Sequence, residues 1–146
     1  MDSGPNDQYL TLGDFSLWVY GRSYPDSIDF WDGNWLQCKA QVKVNGASVE
    51  VVGTFLRNDE LMDFMRGLSR MHDEVAGTAE LHCIEPNLGM ALATDALGHI
   101  SVEVSITPDH MAQSHHFSFA VDQTFLPPLI KSCERVLDRF PIIGKL

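Results

Sequence analysis

Hydrophobic and polar residues alternate most regularly between positions 36 and 55. Residues 36–44 place an apolar side chain at every even position, which is the period of a strand with one buried face. Asn45-Gly46 then forms the favoured two-residue type I′ hairpin turn. Folding the chain there sets apolar residues opposite apolar residues, so a single register is specified. The predicted pairs are Val44–Ala47, Val42–Val49, Ala40–Val51, Leu36–Phe55 and, on the outer face, Gln41–Glu50.

Shorter alternating stretches predict six further strands, separated by residues typical of turns. They cover residues 9–12, 15–20, 79–85, 90–94, 99–107 and 115–121.

Two stretches repeat their apolar residues at helical spacing. The first has Asn58 as its predicted N-cap, carries acidic residues in its first turn and ends near His72. The second begins around Pro127-Pro128, which a first helical turn tolerates, and stops at Pro141. We therefore predict two amphipathic helices.

The order of strands, helix, strands, helix is typical of an α+β fold. Because short turns join most of the strands, we predict a mainly antiparallel sheet with two helices packed on one face. A length of 146 residues is sufficient for one domain with a substantial core. We expect a single domain over residues 1–146, with residues 1–7 forming a flexible tail.

The charge balance narrows the classes of partner. Twenty acidic residues against ten basic ones give a net charge of −10. Nucleic-acid binding is not expected, because phosphate contacts need clustered lysine and arginine. Binding to acidic membrane surfaces is disfavoured for the same reason. Because no leader or membrane-spanning segment is recognisable in the sequence, we expect a cytoplasmic location. Such a charge attracts a basic protein partner, although it could also serve solubility alone.

The loop at residues 21–33 carries the acidic residues Asp26, Asp29 and Asp32. We expect the loop to be ordered, since its apolar side chains would otherwise expose much area. These side chains are Tyr24, Ile28, Phe30 and Trp31.

Two tryptophans frame the turn that ends this loop, in the order Trp31-Asp32-Gly33-Asn34-Trp35. Glycine permits a positive φ there, and Asx side chains bond to nearby amides. Aromatic anchors supply interface affinity and charges supply selectivity, so the candidate partner-binding residues are Asp26, Asp29, Trp31 and Asp32. The alternative is that both tryptophans are buried and fix the loop, which is favoured more strongly for Trp35.

Catalytic and metal-binding patterns are weak in this sequence. His110, His115 and His116 lie near one another, but adjacent strand residues point to opposite faces. Cys38, Cys83 and Cys133 have neither disulfide nor zinc spacing and fall on apolar faces. The sequence has no G-x-S-x-G elbow, P-loop or dinucleotide-binding pattern.

We therefore predict no enzyme, no cofactor and no bound metal. The alternative is a small-ligand-binding protein or hydrolase that uses the acidic loop (Asp26, Asp29, Asp32) or the histidine loop (His110, His115, His116). A structural or assembly subunit is a third possibility.

Three motifs together resemble one bacterial family. They are Trp31-Asp32-Gly33-Asn34-Trp35-Leu36, Gly98-His99-Ile100-Ser101-Val102, and Asp122-Gln123-Thr124-Phe125-Leu126-Pro127 before a helix that ends at Phe140-Pro141. Their order and spacing resemble those of the WapI family of toxin-immunity proteins. The resemblance implies a protein that binds and neutralises the C-terminal domain of a cognate toxin inside the cell. It brings no catalytic motif, and we expect the shared motifs to serve the fold.

Overall fold

The computed structural model describes residues 9–145, so the tail predicted at residues 1–7 lies outside the described residues. Within this part the chain forms eight strands, three α-helices and one 3-10 turn. In chain order these are β1 (Tyr9–Leu12), β2 (Phe15–Arg22), α1 (Phe30–Gly33), β3 (Trp35–Val44), β4 (Ala47–Arg57), α2 (Asn58–Glu74), β5 (Thr78–His82), β6 (Leu88–Thr94), β7 (Ile100–Ile106), β8 (His116–Val121), the 3-10 turn Gln123–Phe125, and α3 (Leu126–Arg139).

The strands form two antiparallel sheets of four strands each. Their orders are β1-β2-β3-β4 and β5-β6-β7-β8, so within each sheet every strand pairs with the strands next to it in the sequence. Each sheet is followed by one long helix, α2 or α3. The α+β class with mainly antiparallel strands is therefore confirmed, and the strands divide between two sheets.

The hairpin of β3 and β4 confirms most of the predicted register. Val44 pairs with Ala47, Val42 with Val49, Ala40 with Val51 and Gln41 with Glu50. The predicted pair of Leu36 with Phe55 is wrong, because the register shifts between Leu36 and Gln37 and Leu36 pairs with Leu56. The shift is a β-bulge, which adds one residue to β4. It allows Phe55, Leu56 and Arg57 to be buried in succession.

The helices connect the two sheets. Helix α2 follows the first sheet but packs on β5 of the second, whereas α3 follows the second sheet and packs on β1 of the first. The helices also pack against each other, through apolar stripes that are buried. None of the helices in residues 9–145 is long and apolar enough to cross a membrane.

The starts of the long helices differ slightly from the sequence prediction. Asn58 is the first residue of α2 rather than its N-cap, and Arg57 holds the cap position. The Asn58 side chain is buried and donates a hydrogen bond to the carbonyl of Phe140, at 3.0 Å, instead of capping its own helix. Helix α3 begins with prolines in its first turn, as predicted, after Asp122 accepts a hydrogen bond from the amide of Thr124 at 2.9 Å.

Candidate functional site

The loop between β2 and β3 contains a short helical turn that the sequence did not predict. This turn is α1, and Asp29 caps it by accepting a hydrogen bond from the amide of Asp32 at 2.7 Å. The amide of Gly33 closes the turn on the carbonyl of Asp29 at 3.0 Å. Asp29 therefore has a structural role in ordering the loop, as well as being exposed on it.

Arg57 lies beneath this turn and binds its backbone. The side chain is 1% exposed, and its guanidinium donates to the carbonyls of Trp31 at 2.5 Å and Phe30 at 3.0 Å. A third hydrogen bond, from Nε to the carboxylate of Asp59, measures 2.9 Å. The carbonyls at the end of a helical turn lack partners of their own, so one buried cation satisfies two of them.

The same guanidinium lies against three aromatic rings. Its central carbon is 5.0 Å from the ring centroid of Phe30, and 5.2 Å from those of Trp31 and Trp35. These distances are within the range of cation–π attraction. Arg57 therefore fixes both the backbone and the ring of Trp31. Sequence reasoning missed this residue, because a single arginine after two apolar residues at a strand end has no distinctive pattern.

Asn34 ties the loop to the C-terminal segment. Its side chain is fully buried, donates to the carbonyls of Phe30 at 2.9 Å and Ile143 at 3.0 Å, and accepts the amide of Ile143 at 2.9 Å. Arg22 spans the same two segments, since it donates to the carbonyls of Gly33 and Pro141. The motif around Asn34 therefore serves the fold.

Gly33 meets a different requirement from the one that the sequence suggested. Its φ is not positive, and the left-handed conformation is not what selects glycine here. A Cβ at this position would lie 2.5 Å from Cδ1 of Ile143 and 3.1 Å from the carbonyl oxygen of Ser27. Glycine fits here because the C-terminal segment packs directly on the turn, and a larger residue would displace the Ile143 side chain and crowd the carbonyl of Ser27.

The outer surface of the loop is apolar and acidic. Ile28 is 85% exposed and Tyr24 51%, so the expectation that an ordered loop would bury these side chains is wrong. Trp31, a predicted partner-binding residue, is 58% exposed. The loop keeps its order because Arg57 and Asn34 hold its backbone from within. Phe30 and Trp35 are half-buried, and the carboxylates of Asp26, Asp29 and Asp32 are all on exposed residues. The four predicted partner-binding residues thus share one exposed surface loop with Tyr24 and Ile28.

The histidine loop does not gather its side chains around one point. His116 bonds to Glu103 at 2.6 Å, whereas His115 contacts Gln113 at 3.2 Å. Hydrogen bonds from Ser118 and His116 lower the pKa of Glu103 below its usual value. In the part of the chain that the structure describes, no group of three or more histidine, cysteine, aspartate or glutamate residues could hold a metal ion.

The cysteines are free thiols in poorly solvated positions. Cys38 and Cys133 are buried and Cys83 is half-buried. Burial raises the pKa of Cys133 to about 12, and burial also raises the pKa of Cys38 and of Cys83. Thiols with raised pKa values hold little of the nucleophilic thiolate at neutral pH.

A groove of about 330 Å³ lies near β1 and the start of α3. It is lined by Thr11, Thr124, Phe125, Pro128 and Ser132. These side chains supply hydroxyls and apolar surface but no charge. Among residues 9–145, the groove is lined by no carboxylate or imidazole, which are the usual groups of general acid–base hydrolysis.

A comparison with solved structures found a similar fold. A solved structure, the crystal structure of WHY3 from Arabidopsis thaliana, superposes with a TM-score of 0.50 and covers 96% of this chain and 90% of that chain. The two sequences are 10% identical, so the likeness concerns the fold alone. No curated protein matches the sequence significantly.

The fold and the site together define this protein as a two-sheet α+β protein with an exposed apolar and acidic loop. The sequence model of the immunity protein WapI-like family matches residues 8–141, which is most of the chain. The protein belongs to this family, as the three motifs indicated.

Proposed function

We propose that this protein is a non-enzymatic immunity protein that neutralises a basic toxin domain in the cytoplasm by direct binding. The contact surface is the loop of residues 23–34. The observation that carries the proposal is the presentation of Trp31. This residue is 58% exposed, although buried Arg57 binds its backbone carbonyl and lies against its ring.

A fixed, exposed tryptophan is well suited to anchoring a partner. Tryptophan is enriched among the residues that dominate binding energy, and a side chain already held in place loses little entropy on association. Tyr24 and Ile28 place further apolar surface on the same loop. Together they supply the apolar centre that a specific protein interface requires.

The charges of the loop favour a basic partner. Residues 23–34 contain three aspartates and no lysine or arginine, and the whole chain has a net charge of −10. Charges at the edge of an interface mainly raise the association rate and select against partners of like charge. A cationic toxin domain is therefore complementary in charge both to the loop and to the protein as a whole.

The first experiment is a pull-down with the immobilised protein from a lysate of its own source, at low and at raised salt. We expect capture of a basic protein domain at low salt, with reduced recovery as salt screens the charges. Mass spectrometry identifies the captured domain, which is then produced in pure form. Addition of the immunity protein should suppress the toxicity of that domain in a growth assay. Capture of no basic toxic domain would contradict the proposal.

The site is tested with Trp31→Ala against the matched variant Leu97→Ala. Leu97 is also an exposed apolar residue, at 82%, but it lies in the turn between β6 and β7. We expect Trp31→Ala to raise the Kd for the pure captured domain by at least about ten-fold, since truncating a dominant anchor typically costs about 2 kcal/mol or more. Leu97→Ala should leave the Kd unchanged. Equal Kd values for both variants would remove the loop from the interface.

A further inference from the structure

The loop of residues 23–34 is too small to be the whole of a specific interface. A stable interface covers about 800 Å² and roughly 20–30 residues on each partner, whereas this loop has twelve residues. The footprint must therefore continue onto a neighbouring surface. The buried contacts beneath the loop indicate which surface this is.

Glu60 connects the support of the loop to a second exposed turn. One of its carboxylate oxygens accepts the amide of Arg57 at 2.9 Å, and the other accepts the amide of Ile84 at 2.8 Å. Because both bonds have ordinary lengths, the two amide nitrogens lie within about 8 Å of each other. Arg57 in turn binds the backbone of Trp31, so the contacts run without a break from Trp31 to Ile84.

Ile84 is presented in the same manner as Trp31. Its side chain is 63% exposed while its amide is held by a carboxylate that is nearly buried. The turn that carries it, residues 83–87, is held at its other end by Asn87, which accepts the amide of Thr107 at 3.0 Å and donates to the carbonyl of Thr107 at 2.9 Å. An exposed isoleucine on a backbone fixed at both ends is a suitable second anchor.

The charge around this turn matches the same class of partner. Residues 71–130 contain eight acidic residues and no lysine or arginine, and Glu85 follows Ile84 directly. Asp59 pairs with Arg57 at 2.9 Å and so adds a carboxylate beside this chain of contacts. A cationic protein domain that reaches the loop therefore meets no fixed positive side chain on the segment that carries Ile84.

We propose that the toxin-binding face is composite, with Trp31 and Ile84 as two apolar anchors for one basic protein domain. The face crosses the N-terminus of α2, where Arg57 and Glu60 hold both anchors in place. This inference rests on the proposed function, because it assigns a second anchor to the same interface.

The experiment measures Kd for the pure captured domain with Ile84→Ser and with the matched variant Leu97→Ser. Both residues are exposed apolar side chains in turns of the second sheet, and the two turns lie at opposite ends of β6. We expect Ile84→Ser to raise the Kd about ten-fold and Leu97→Ser to leave it unchanged. Hydrogen exchange of the complex should show protection of residues 83–87 together with residues 24–34, and none of residues 95–98.

The outcomes separate the two proposals. An increased Kd for Trp31→Ala with an unchanged Kd for Ile84→Ser, and no protection of residues 83–87, would overturn the composite face and leave the proposed function standing. Unchanged Kd values for both variants would remove the loop from the interface and overturn this inference, and the lack of any captured basic domain would overturn the proposed function as well. Thermal unfolding of Ile84→Ser provides the check that its fold is intact.

Discussion

Arg57 organises the candidate site at the scale of single residues. A buried guanidinium is costly unless its donors are satisfied, and here a carboxylate and two carbonyls accept from it. The two carbonyls belong to residues 26 and 27 positions before Arg57 in the chain, whereas Asp59 follows it by two positions. The arrangement converts an exposed loop into a surface of defined shape.

We predict that neither Arg57→Lys nor Arg57→Met preserves this arrangement. A lysine ammonium cannot reproduce the planar fork that reaches two carbonyls and a carboxylate, and methionine has no donor. The free energy of unfolding should fall by about 2–4 kcal/mol for Arg57→Met and by less for Arg57→Lys. Urea unfolding measures the loss, and near-ultraviolet circular dichroism reports the changed surroundings of Trp31 and Trp35.

The control for this prediction is Arg66→Lys on α2. Arg66 is an exposed arginine whose pair with Asp63 is longer, at 3.8 Å. Its replacement should change the unfolding free energy by less than about 0.5 kcal/mol. A stability loss for Arg66→Lys equal to that of Arg57→Lys would show that the buried fork has no special role.

Single residues also show how far the sequence could identify the site. The four predicted binding residues share the exposed loop because loop, acidity and tryptophan are all local features of residues 26–32. Arg57 and Asn34 could not be assigned as supports, since their partners come from distant positions such as Ile143. Tyr24 and Ile28 were expected inside, because apolar residues in a loop are commonly buried unless other contacts order the backbone.

At the scale of elements, the strands followed the alternation of apolar and polar residues closely. The β3–β4 hairpin was predicted in register because Asn45-Gly46 and the matched apolar faces act over short distances. The bulge near Phe55 was not predicted, because the extra residue is stabilised only when Leu56 and Arg57 are buried against other parts of the fold. Likewise, α1 was read as loop because four residues are too few for a helical period.

Glu60 allows a prediction of pH dependence for the start of α2. Burial raises the pKa of its carboxyl above the ordinary 4.5, although the amides of Ile84 and Arg57 act in the opposite direction. The folded state therefore takes up the proton before the unfolded state does as the pH falls. The contribution of this group to stability should increase as the pH decreases from neutrality toward 4.5.

The measurement compares urea unfolding of the wild type with that of Glu60→Gln, which does not titrate. We expect the wild type to gain stability relative to the variant as the pH is lowered through the window above 4.5. At neutral pH Glu60→Gln should already be less stable, because the two backbone amides donate to different oxygens of Glu60 and glutamine replaces one of these oxygens with an NH2 group that cannot accept. If the wild type instead loses stability relative to Glu60→Gln as the pH falls, the hydrogen bonds from the two amides lower the pKa of Glu60 by more than burial raises it.

At the scale of the whole molecule, the position of charge matters as well as its amount. Asp26, Asp29 and Asp32 lie on the loop that also carries Trp31. We predict that Asp26→Asn, Asp29→Asn and Asp32→Asn together lower the association rate with the pure captured domain roughly ten-fold at low salt. The fold should persist, because asparagine also caps helices at position 29. Stopped-flow kinetics over a range of salt concentrations measures the effect.

A second triple variant, Asp14→Asn, Glu134→Gln and Asp138→Asn, removes the same charge outside the proposed binding face. These three exposed residues lie in the turn between β1 and β2 and on α3. If steering depends on the loop, this variant should bind nearly as fast as the wild type and retain its salt dependence. If both triple variants lower the association rate equally, the attraction depends on net charge alone and not on the position of the loop carboxylates.

The sequence by itself determined the α+β class, the strands and helices, and the family, whose model matches residues 8–141. These features depend on period, turn residues and short motifs, which act between neighbours in the chain. Only the tertiary structure decided that the strands form two sheets, that each helix packs on the other sheet, and that Arg57, Asn34 and Glu60 support the exposed loop and turn. Such contacts join residues far apart in the chain, and their stability depends on burial, which local sequence patterns do not specify.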